Sequence, residues 1–587
     1  MHEIPDLVRL EKKYPNQVVV VGVHTPKFDS EKNTESIRKA ILRYEIPHPV
    51  VNDANMKIWR EYGVRGWPTL WVIDPEGNAV ASGSGEKLYD ALEDVCEKLI
   101  KMHRQKKTLN EEPLRFDTAK FRDRNKSPLY FPGKVLADAA GDRLFIADST
   151  HHRIVITGLN GKKLAVVGAG QSGKDDGPFD KATFNDPQGM ALKGDALYVA
   201  DRKNHLLRAV DLKAGTVKTV AGTGEQGEDR WKGGSALKTG LNSPWDLHLH
   251  GNTLYIAMAG HHQIWSLDLE KGRLDPFAGA GPENIRDGPL DRALFAQPSG
   301  LASDGDTLFV ADSEVSAIRA ISLGGKAEVK TIVGTGLFDF GDKDGVGEDV
   351  LLQHAIGIAY HDGKLYVADT YNNKIKVIDP AKRSCKTFSG GEAEGWLAGP
   401  AFSEPAGISV ANGKLYVADT NAHRIRVVDL KTKAISTLPL QGVEPPKPAA
   451  EPDRPAFPNA AKAKLPETTV PAEGDLTLQV ELKLPDGFHL NPEVPLTYLV
   501  ESLSEGKTAW SLVNKKAAPK TSFAVTVPAA KLAGATGLRV SLLYFECSAG
   551  KSALCRIKSQ IWEVPIKTDA KANSRSIRLE GPSVTNK

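Results

Sequence analysis

LYVAD stands at residues 197–201, 365–369 and 415–419, and close variants stand at 144–148 (LFIAD), 254–258 (LYIAM) and 308–312 (LFVAD). The last positions of these six phrases lie 53, 57, 54, 57 and 50 residues apart. A nearly fixed period of this size is typical of a repeat architecture. Within each phrase large apolar residues alternate with others, as they do in a half-buried β-strand.

One complete unit, residues 405–440, shows what is repeated. It runs from PAGISV through a glycine turn into KLYVAD, a polar corner TNAH, and then RIRVVDL and AISTLPL. This pattern predicts four short strands joined by tight turns. A four-stranded sheet cannot bury both of its faces alone. We therefore predict that six units, over residues 128–440, pack around an axis as a six-bladed all-β propeller.

The blade phrase has a P-x-G start, a YVAD strand and an N-x-H-R-I corner, and in this it resembles the NHL repeat. The resemblance implies a propeller that serves as a platform for protein contacts. A repeat fold by itself does not fix a function.

Residues 1–102 alternate helical and strand patterns. The run QVVVVGVH (17–24) suits a buried parallel strand, and TLWVIDPEGNAVAS (69–82) predicts a hairpin over the turn at 74–77. Cys96 falls on the apolar stripe of a final helix, where we expect a buried small hydrophobe.

This element order resembles the α/β thioredoxin fold, and the phrase VRGWPT (64–69) carries the resemblance. The resemblance implies a cis Trp67–Pro68 bond and places Trp67, Pro68 and Thr69 at the substrate-binding edge. An ordinary trans proline that opens a strand is the alternative. Together with the repeats, the segment indicates a family of NHL-repeat-containing thioredoxin-like proteins.

The sequence departs from the thioredoxin pattern at its start. It begins within the first long helix, so that the first strand and the Cys-x-x-Cys are missing. One hypothesis is that Met1 is an internal methionine and that the natural reading frame starts upstream. The other is a degenerate, non-redox thioredoxin-like domain. In either case we expect no insulin-reducing activity from these 587 residues.

Chain length, net charge and the number of cysteines limit the class of protein. At 587 residues the chain is expected to hold three or four domains, and a net charge of +3 gives no argument for nucleic acid. No apolar run is long enough to cross a membrane, and four cysteines are too few for a secreted disulfide framework. We expect a cytoplasmic monomer without cofactor or metal.

Several propeller residues resemble functional sites. Asp148, Asp201, Asp312, Asp369 and Asp419 end strands, where we expect them to accept backbone N–H bonds and fix turns. His152, His205, His262 and His423 follow four positions later, and we expect no ligand role for them. The acidic loops at 175–177, 287–288 and 342–347 lack the glutamate that closes a twelve-residue calcium loop.

Two linkers separate three regions. Residues 103–127 are a charged linker and 441–474 a proline-rich one, while 475–568 predict a β-sandwich and 569–587 a tail. The stretches LPDGFHLNPEVP (484–495) and YFECSAGKSALCRI (544–557) resemble the periplasmic-type sandwich domain of thiol:disulfide interchange proteins.

That resemblance makes Cys547 and Cys555 a candidate redox pair, eight residues apart at a hairpin end. Redox exchange, a static disulfide and unpaired thiols all remain open for them.

Two functions follow for the whole chain. In the first, upstream cysteines attack a protein disulfide, Pro68 shapes the substrate edge, and Cys547 and Cys555 act as a relay. In the second, the chain is a non-enzymatic scaffold for a protein partner. A propeller hydrolase is disfavoured because no blade supplies a recognisable set of metal ligands.

Overall fold

The computed structural model of the chain describes residues 3–85, 87–111, 127–325, 327–391, 401–447, 460–471, 474–504, 507–532, 534–548, 555–569 and 575–581, with single positions 455, 457 and 572. The expected linker at 103–127 lies outside these residues from 112 to 126. The expected proline-rich linker does so from 448 to 454, and the end of the expected tail from 582. The chain forms two compact units. One comprises Met1–Thr25, Ile46–Phe121 and Ala450–Lys587, and the other Pro26–Glu45 and Arg122–Ala449.

The first 106 residues alternate helix and strand as predicted. The helices are α1 (Glu3–Lys13), α2 (Thr34–Tyr44), α3 (Lys57–Glu61) and α4 (Tyr89–Lys106), and the strands are β1 (Gly22–His24), β2 (Val50–Asn52), β3 (Thr69–Ile73) and β4 (Ala79–Ser84). β1 pairs with β2 in parallel and β3 pairs with β4 in antiparallel. Two expectations need adjustment. The apolar run at 17–24 is a strand only from Gly22, and α4 continues into the expected linker as far as Lys106.

A small apolar core holds the two long helices of this region together. Leu10 of α1 and Tyr89 and Cys96 of α4 are buried side by side. Cys96 is therefore a small core residue, as predicted, and burial raises the pKa of its thiol.

Six antiparallel sheets follow between residues 134 and 437. We call them blades one to six and number the strands of each blade in chain order. The first strands are Lys134–Asp138, Pro187–Lys193, Pro244–His250, Pro298–Ser303, Gly357–His361 and Pro405–Ala411. The second strands carry the repeated phrase: Arg143–Asp148, Ala196–Asp201, Thr253–Met258, Thr307–Asp312, Lys364–Asp369 and Lys414–Asp419.

The outer half of each blade completes the sheet. The third strands are Arg153–Gly158, Leu206–Asp211, Gln263–Asp268, Ala317–Ser322, Lys374–Asp379 and Arg424–Asp429. The fourth strands are Lys163–Val167, Thr216–Ala221, Arg273–Ala278, Glu328–Val333, Ser384–Gly390 and Ile435–Thr437. Blades two to five add a two-residue strand at the outer edge: Gly177–Pro178, Gly234–Ser235, Gly288–Pro289 and Gly345–Val346.

Apolar packing between neighbouring blades closes the sheets into a ring. Six buried clusters join consecutive blades, and the cluster of Leu144 and Ile146 from blade one with Tyr416 and Ala418 from blade six joins the last blade to the first. A hydrogen bond from Gly407 N to Gly133 O (2.9 Å) spans the same seam. Each blade thereby buries both faces, which no single four-stranded sheet can do.

The C-terminal region contains two further sheets. The larger contains Ala461–Lys464, Thr468–Pro471, Phe488–Leu490, Leu496–Ser504, Lys507–Ala517, Gly537–Ser548 and Cys555–Asp569, and the smaller contains Leu476–Glu481, Ser522–Val527 and Ser576–Glu580. Alternate residues of both sheets, among them Leu478, Val540 and Trp562, share one apolar core. The shared core favours the β-sandwich predicted for this region. Among the described residues, no helix combines the length and the apolar composition needed to span a bilayer.

Candidate functional site

The aspartates that end the second strands connect distant parts of each blade. In five blades one carboxylate oxygen accepts the backbone N–H of a residue that precedes the first strand: Tyr130 to Asp148, Asn185 to Asp201, Ala296 to Asp312, Gln353 to Asp369 (2.7 Å each) and Ser403 to Asp419 (2.6 Å). In three blades the other oxygen bonds the corner, through His151, Asn204 and Asn372. Blade three has Met258 at this position, and its sulfur takes the N–H of Asn242 (3.2 Å). These aspartates are structural.

The corner histidines join adjacent blades. His152, His205, His262, Ser316, Asn373 and His423 occupy the same corner position, and each side chain accepts a backbone N–H of the next blade, from Asp186, Ser243, Gln297, His354, Glu404 and Phe131 respectively, at 2.7–3.2 Å. The sixth bond, from Phe131 N to His423 Nδ1, links blade six to blade one. The sequence showed the recurrent position but not this partner, which lies in the neighbouring repeat.

The acidic loops hold buried cations that belong to the chain itself. Arg208, Arg319 and Lys376 lie on third strands, almost fully buried, and bind Asp176, Asp287 and Asp344 respectively at 2.8–2.9 Å. The same three carboxylates accept the N–H of Thr219, Thr331 and Thr387 on the fourth strands. An internal cation therefore takes the place that a calcium ion has in a calcium loop.

A lysine crosses the axis of the ring. Lys134, on the first strand of blade one, is 4% exposed, and its ammonium donates to Asp246 Oδ2 (3.0 Å), Ser299 O (2.7 Å) and Ile356 O (3.0 Å). These partners lie on or beside the first strands of blades three, four and five. A cavity of about 300 Å³ adjoins this ion pair and is lined mainly by apolar residues of the first strands.

Residues 26–45, which include α2, lie against the corners of the propeller. Phe28 is 2% exposed, and its ring centre lies 4.6–5.5 Å from the ring centres of Phe340, His354 and Tyr371. Ion pairs join Lys27 to Glu314 (2.7 Å), Arg43 to Glu404 (2.9 Å) and Glu45 to Lys203 (3.4 Å). The chain itself therefore occupies part of the face that carries the corner histidines.

The predicted substrate edge lies at the start of β3. The Trp67–Pro68 peptide bond is cis, as predicted. Trp67 is 48% exposed, and its ring centre lies 4.5 Å from that of Trp59 with the two planes tilted by 40°. Its Nε1 donates to Thr25 O (3.2 Å). Thr69 Oγ1 donates to Gly66 O (2.7 Å) and fixes the turn before the strand. The indole of Trp67 is thus held in place with an open face.

Cys547 and Cys555 form a disulfide. They face each other as the last residue pair between the antiparallel strands Gly537–Ser548 and Cys555–Asp569, and the loop 549–554 between them lies outside the described residues. Cys547 is 4% exposed, whereas Cys555 is partly exposed. Cys555 is therefore the more exposed residue of the bridge.

The structure brings both C-terminal motifs to this disulfide. The short strand Phe488–Leu490 pairs with the Cys547 strand and places His489 opposite Cys547. Asn491 Nδ2 lies 3.9 Å from Cys555 Sγ, and the Arg556 guanidinium lies 4.2 Å from the centre of the Phe488 ring. The sequence suggested both motifs but not that they adjoin.

The two other cysteines are expected to be unreactive because they are buried. Cys96 and Cys385 are free and buried. Burial raises the pKa of Cys385 to about 12, so that its reactive thiolate form is scarce at neutral pH. Thiol chemistry among the described residues therefore centres on Cys547 and Cys555.

Comparison with known proteins shows which family shares this architecture. A family model described as Thioredoxin-like matches residues 1–79, and one described as NHL repeat matches residues 184–209 and 402–428. NHL repeat-containing protein 2 of Gallus gallus is 38% identical over 637 residues, which cover 99% of this chain and 87% of the chicken protein. The chain belongs to the NHL repeat-containing protein 2 family.

Two other relatives are longer than the region that they share with this chain. The Arabidopsis thaliana protein named SUPPRESSOR OF QUENCHING 1, chloroplastic, is 39% identical over 602 residues, which cover 98% of this chain but 57% of that relative. Thiol-disulfide oxidoreductase ResA of Bacillus cereus is 27% identical over 97 residues, or 16% of this chain. The resemblance to NHL-repeat-containing thioredoxin-like proteins is thus confirmed.

Proposed function

We propose that this chain exchanges disulfides with protein dithiols through Cys547 and Cys555, and that the propeller holds the partner. The observation that carries the proposal is the asymmetry of the bridge. Cys547 is buried at 4% exposure, while Cys555, the first residue of its strand, is partly exposed. Attack on a disulfide requires access to a sulfur, and this arrangement directs it to one of the two.

The exchange proceeds in two balanced steps. A partner thiolate attacks Cys555 Sγ, the Cys547–Cys555 bond breaks, and a mixed disulfide with Cys555 forms while Cys547 leaves as a thiolate and takes up a proton. A second partner thiolate then attacks the partner sulfur of the mixed disulfide and releases Cys555. The partner is oxidised to its disulfide, and the two cysteines are reduced to thiols.

Asn491 lies where it can act on this step. Its side-chain amide, 3.9 Å from Cys555 Sγ, points a donor at the sulfur that leaves as a thiolate in the second step. A donor at that distance stabilises developing negative charge on sulfur. We assign Asn491 as a positioning residue of the proposed exchange.

The thioredoxin-like region adds an expected contact surface to this proposal. ResA, which aligns with 97 residues of this chain, is named a thiol-disulfide oxidoreductase. In this chain an exposed Trp67 and the half-buried Pro68 and Thr69 lie at the start of β3, and we propose that they contact an extended protein substrate there. An exposed, preoriented indole is a typical anchor for a protein partner.

Single-cysteine variants test the proposal. Cys547→Ser leaves Cys555 alone, and Cys555→Ser leaves the buried Cys547 alone. With oxidised glutathione as the probe, we expect Cys547→Ser to form a mixed disulfide at least about tenfold faster than Cys555→Ser, because thiol exchange follows access. Mass spectrometry of the intact chain measures both rates.

Equal rates, or no reaction in either variant, would contradict the proposal. Cys547→Ser/Cys555→Ser serves as the control, because it retains only Cys96 and Cys385, which are buried. Any glutathione adduct of this control comes from those two residues and is subtracted.

A non-enzymatic scaffold is the second candidate, and exposed aromatic residues on propeller loops favour it. Trp231 is 66% and Phe338 71% exposed, so that each ring is accessible to a partner that would bury it. Chemical crosslinking of a protein partner separates the two functions. If the chain is only a scaffold, we expect Trp231→Ala to lose the crosslinked partner and Cys547→Ser/Cys555→Ser to keep it. Loss of the crosslinked partner in the double cysteine variant instead favours disulfide exchange.

A further inference from the structure

A buried histidine meets two carboxylates at the end of the β3–β4 hairpin. One ligand atom from each of Asp74, Glu76 and His103 lies within 4.8 Å of the others. Asp74 and Glu76 belong to the turn between the strands, and His103 belongs to the last turn of α4. The turn and the helix end therefore bring together residues that are separated by almost thirty positions in the chain.

His103 is held so that one ring nitrogen is directed into this cluster. Its side chain is completely buried, and Nδ1 lies 2.7 Å from Thr108 Oγ1. Nε2 has no hydrogen-bond partner within the described part of the chain and lies 3.8 Å from Asp74 Oδ2. With the proton on Nδ1 and donated to Thr108, the lone pair of Nε2 faces the carboxylate. Second-shell hydrogen bonds of this kind orient metal-binding histidines.

Asp74 is fixed as a carboxylate. Its Oδ1 accepts the N–H groups of Glu76 (2.9 Å) and Asn78 (2.8 Å), and the Asn78 amide donates to both of its oxygens. These hydrogen bonds hold the carboxylate that faces His103 in a fixed position.

Glu76 completes the cluster from the solvent side. Its carboxylate is 44% exposed and lies 3.8 Å from His103 Nδ1 and 3.3 Å from Lys106 Nζ. Binding of a metal ion at Nε2 requires this side chain to turn from Nδ1 toward Nε2. Lys106 is the cation that a bound metal ion would replace.

We propose that Asp74, Glu76 and His103 bind a divalent transition-metal ion, specifically Zn²⁺. Zinc takes imidazole nitrogen at about 2.0–2.1 Å and carboxylate oxygen at about 2.0–2.2 Å, so that tetrahedral donors are about 3.4 Å apart. The 3.8 Å between His103 Nε2 and Asp74 Oδ2 needs to shorten by only a few tenths of an ångström. Three protein ligands leave the fourth position to water.

Titration of the full chain, stripped of metal with a chelator, tests the site with Zn²⁺ as the probe. We expect one bound ion, with affinity lowered at least about tenfold by His103→Gln and by Glu76→Gln, since even outer-shell changes cost that much. Lys106→Ala is expected to raise the affinity, because it removes the competing ammonium. Glu61→Gln, at an exposed carboxylate outside the cluster, is the matched control and is expected to change nothing.

Co²⁺ supplies an independent signature. A visible absorption band of tetrahedral cobalt that disappears in Glu76→Gln supports the site even if His103→Gln fails to fold, since Glu76 is a surface residue. The proposal is overturned if the chain takes up no Zn²⁺, or if Glu76→Gln, Lys106→Ala and the control all bind it as the unaltered chain does, which would indicate adventitious binding elsewhere.

Discussion

The propeller and the C-terminal β-domain use their chemically capable side chains in opposite ways. In the propeller, Asp312 and Arg319 are completely buried and bonded to each other and to the backbone. In the C-terminal domain the disulfide ends a strand pair, and Cys555 is left partly exposed. The comparison teaches that abundance of aspartate, histidine and arginine does not mark a site. What distinguishes the candidate redox site is a reactive residue, Cys555, that solvent partly reaches.

The largest effect is expected in a buried propeller cation. Arg319→Ala removes a guanidinium that donates to Leu294 O, Arg286 O, Asp287 and Asp312, and leaves Asp312 buried without its cation. Breaking one side of a buried ion pair costs about 3–5 kcal/mol, and we expect that loss in the free energy of unfolding of the propeller. Urea titration followed by hydrogen exchange of blade-four peptides measures it.

The matched control is Arg273→Ala. Its guanidinium is 58% exposed and is paired with Asp275 at the surface, where an ion pair contributes about 1 kcal/mol or less. If both arginine variants lose the same stability, the propeller network is not the structural device that the comparison requires.

The seam between blades six and one makes the next prediction. Burial lowers the pKa of His423 to about 4, from an ordinary value of about 6.5. The neutral ring, which accepts the N–H of Phe131, is thus favoured in the folded state. This stability is fully present above pH 6.5 and is lost as the pH falls toward 4, by about 3 kcal/mol in total.

His423→Asn removes the titratable imidazole but keeps an acceptor for the N–H of Phe131. Blade five makes the same contact with Asn373, whose Oδ1 accepts the N–H of Glu404 at 2.7 Å. We expect the variant to keep its stability at pH 7 and to lose part of its acid sensitivity, as measured by thermal melts from pH 7 to pH 4. An unchanged pH profile in the variant would show that the seam does not titrate.

The smallest change in the free energy of unfolding is expected when the same Val→Ala substitution is made in the propeller and in the N-terminal region. Val199, in blade two, is completely buried, whereas Val23 in β1 is 44% exposed. Val→Ala at position 199 is expected to cost about 2 kcal/mol through lost burial and a residual cavity. At position 23 the same change is expected to cost less than about 0.5 kcal/mol. Local hydrogen exchange measures each region. A large loss at Val23 would mean that this strand is packed more tightly than its exposure indicates.

The sequence predicted what is local and periodic. The six blades follow from a short phrase that recurs along the chain, and the β3–β4 hairpin follows from a local turn pattern. The cis Trp67–Pro68 bond was implied by the resemblance of the surrounding phrase to the thioredoxin family. It did not predict contacts that depend on closing the ring, such as Lys134 reaching Asp246, or on residues 26–45 lying against the propeller corners. Those partners are more than a hundred residues apart, and no local pattern encodes them.

The candidate site was predicted in part for the same reason. The resemblance of residues 484–495 and 544–557 to the sandwich domain of thiol:disulfide interchange proteins implies Cys547 and Cys555 as a pair, but their unequal exposure depends on the whole sheet. His103 was assigned to a linker because charged residues follow it, although the helix continues to Lys106. Its juxtaposition with Asp74 and Glu76 becomes visible only when the hairpin folds back to the helix end.

A redox titration of Cys547 and Cys555 tests the central claim most directly. The full chain is equilibrated in glutathione buffers of stepped potential, and the two thiols are alkylated and counted by mass spectrometry. Disulfides that resist reduction have potentials below about −300 mV, whereas exchanging pairs lie higher. We predict a two-electron transition of this pair above that value, with the propeller still folded. A bridge that stays closed below about −300 mV, or two cysteines that never pair, would contradict the account.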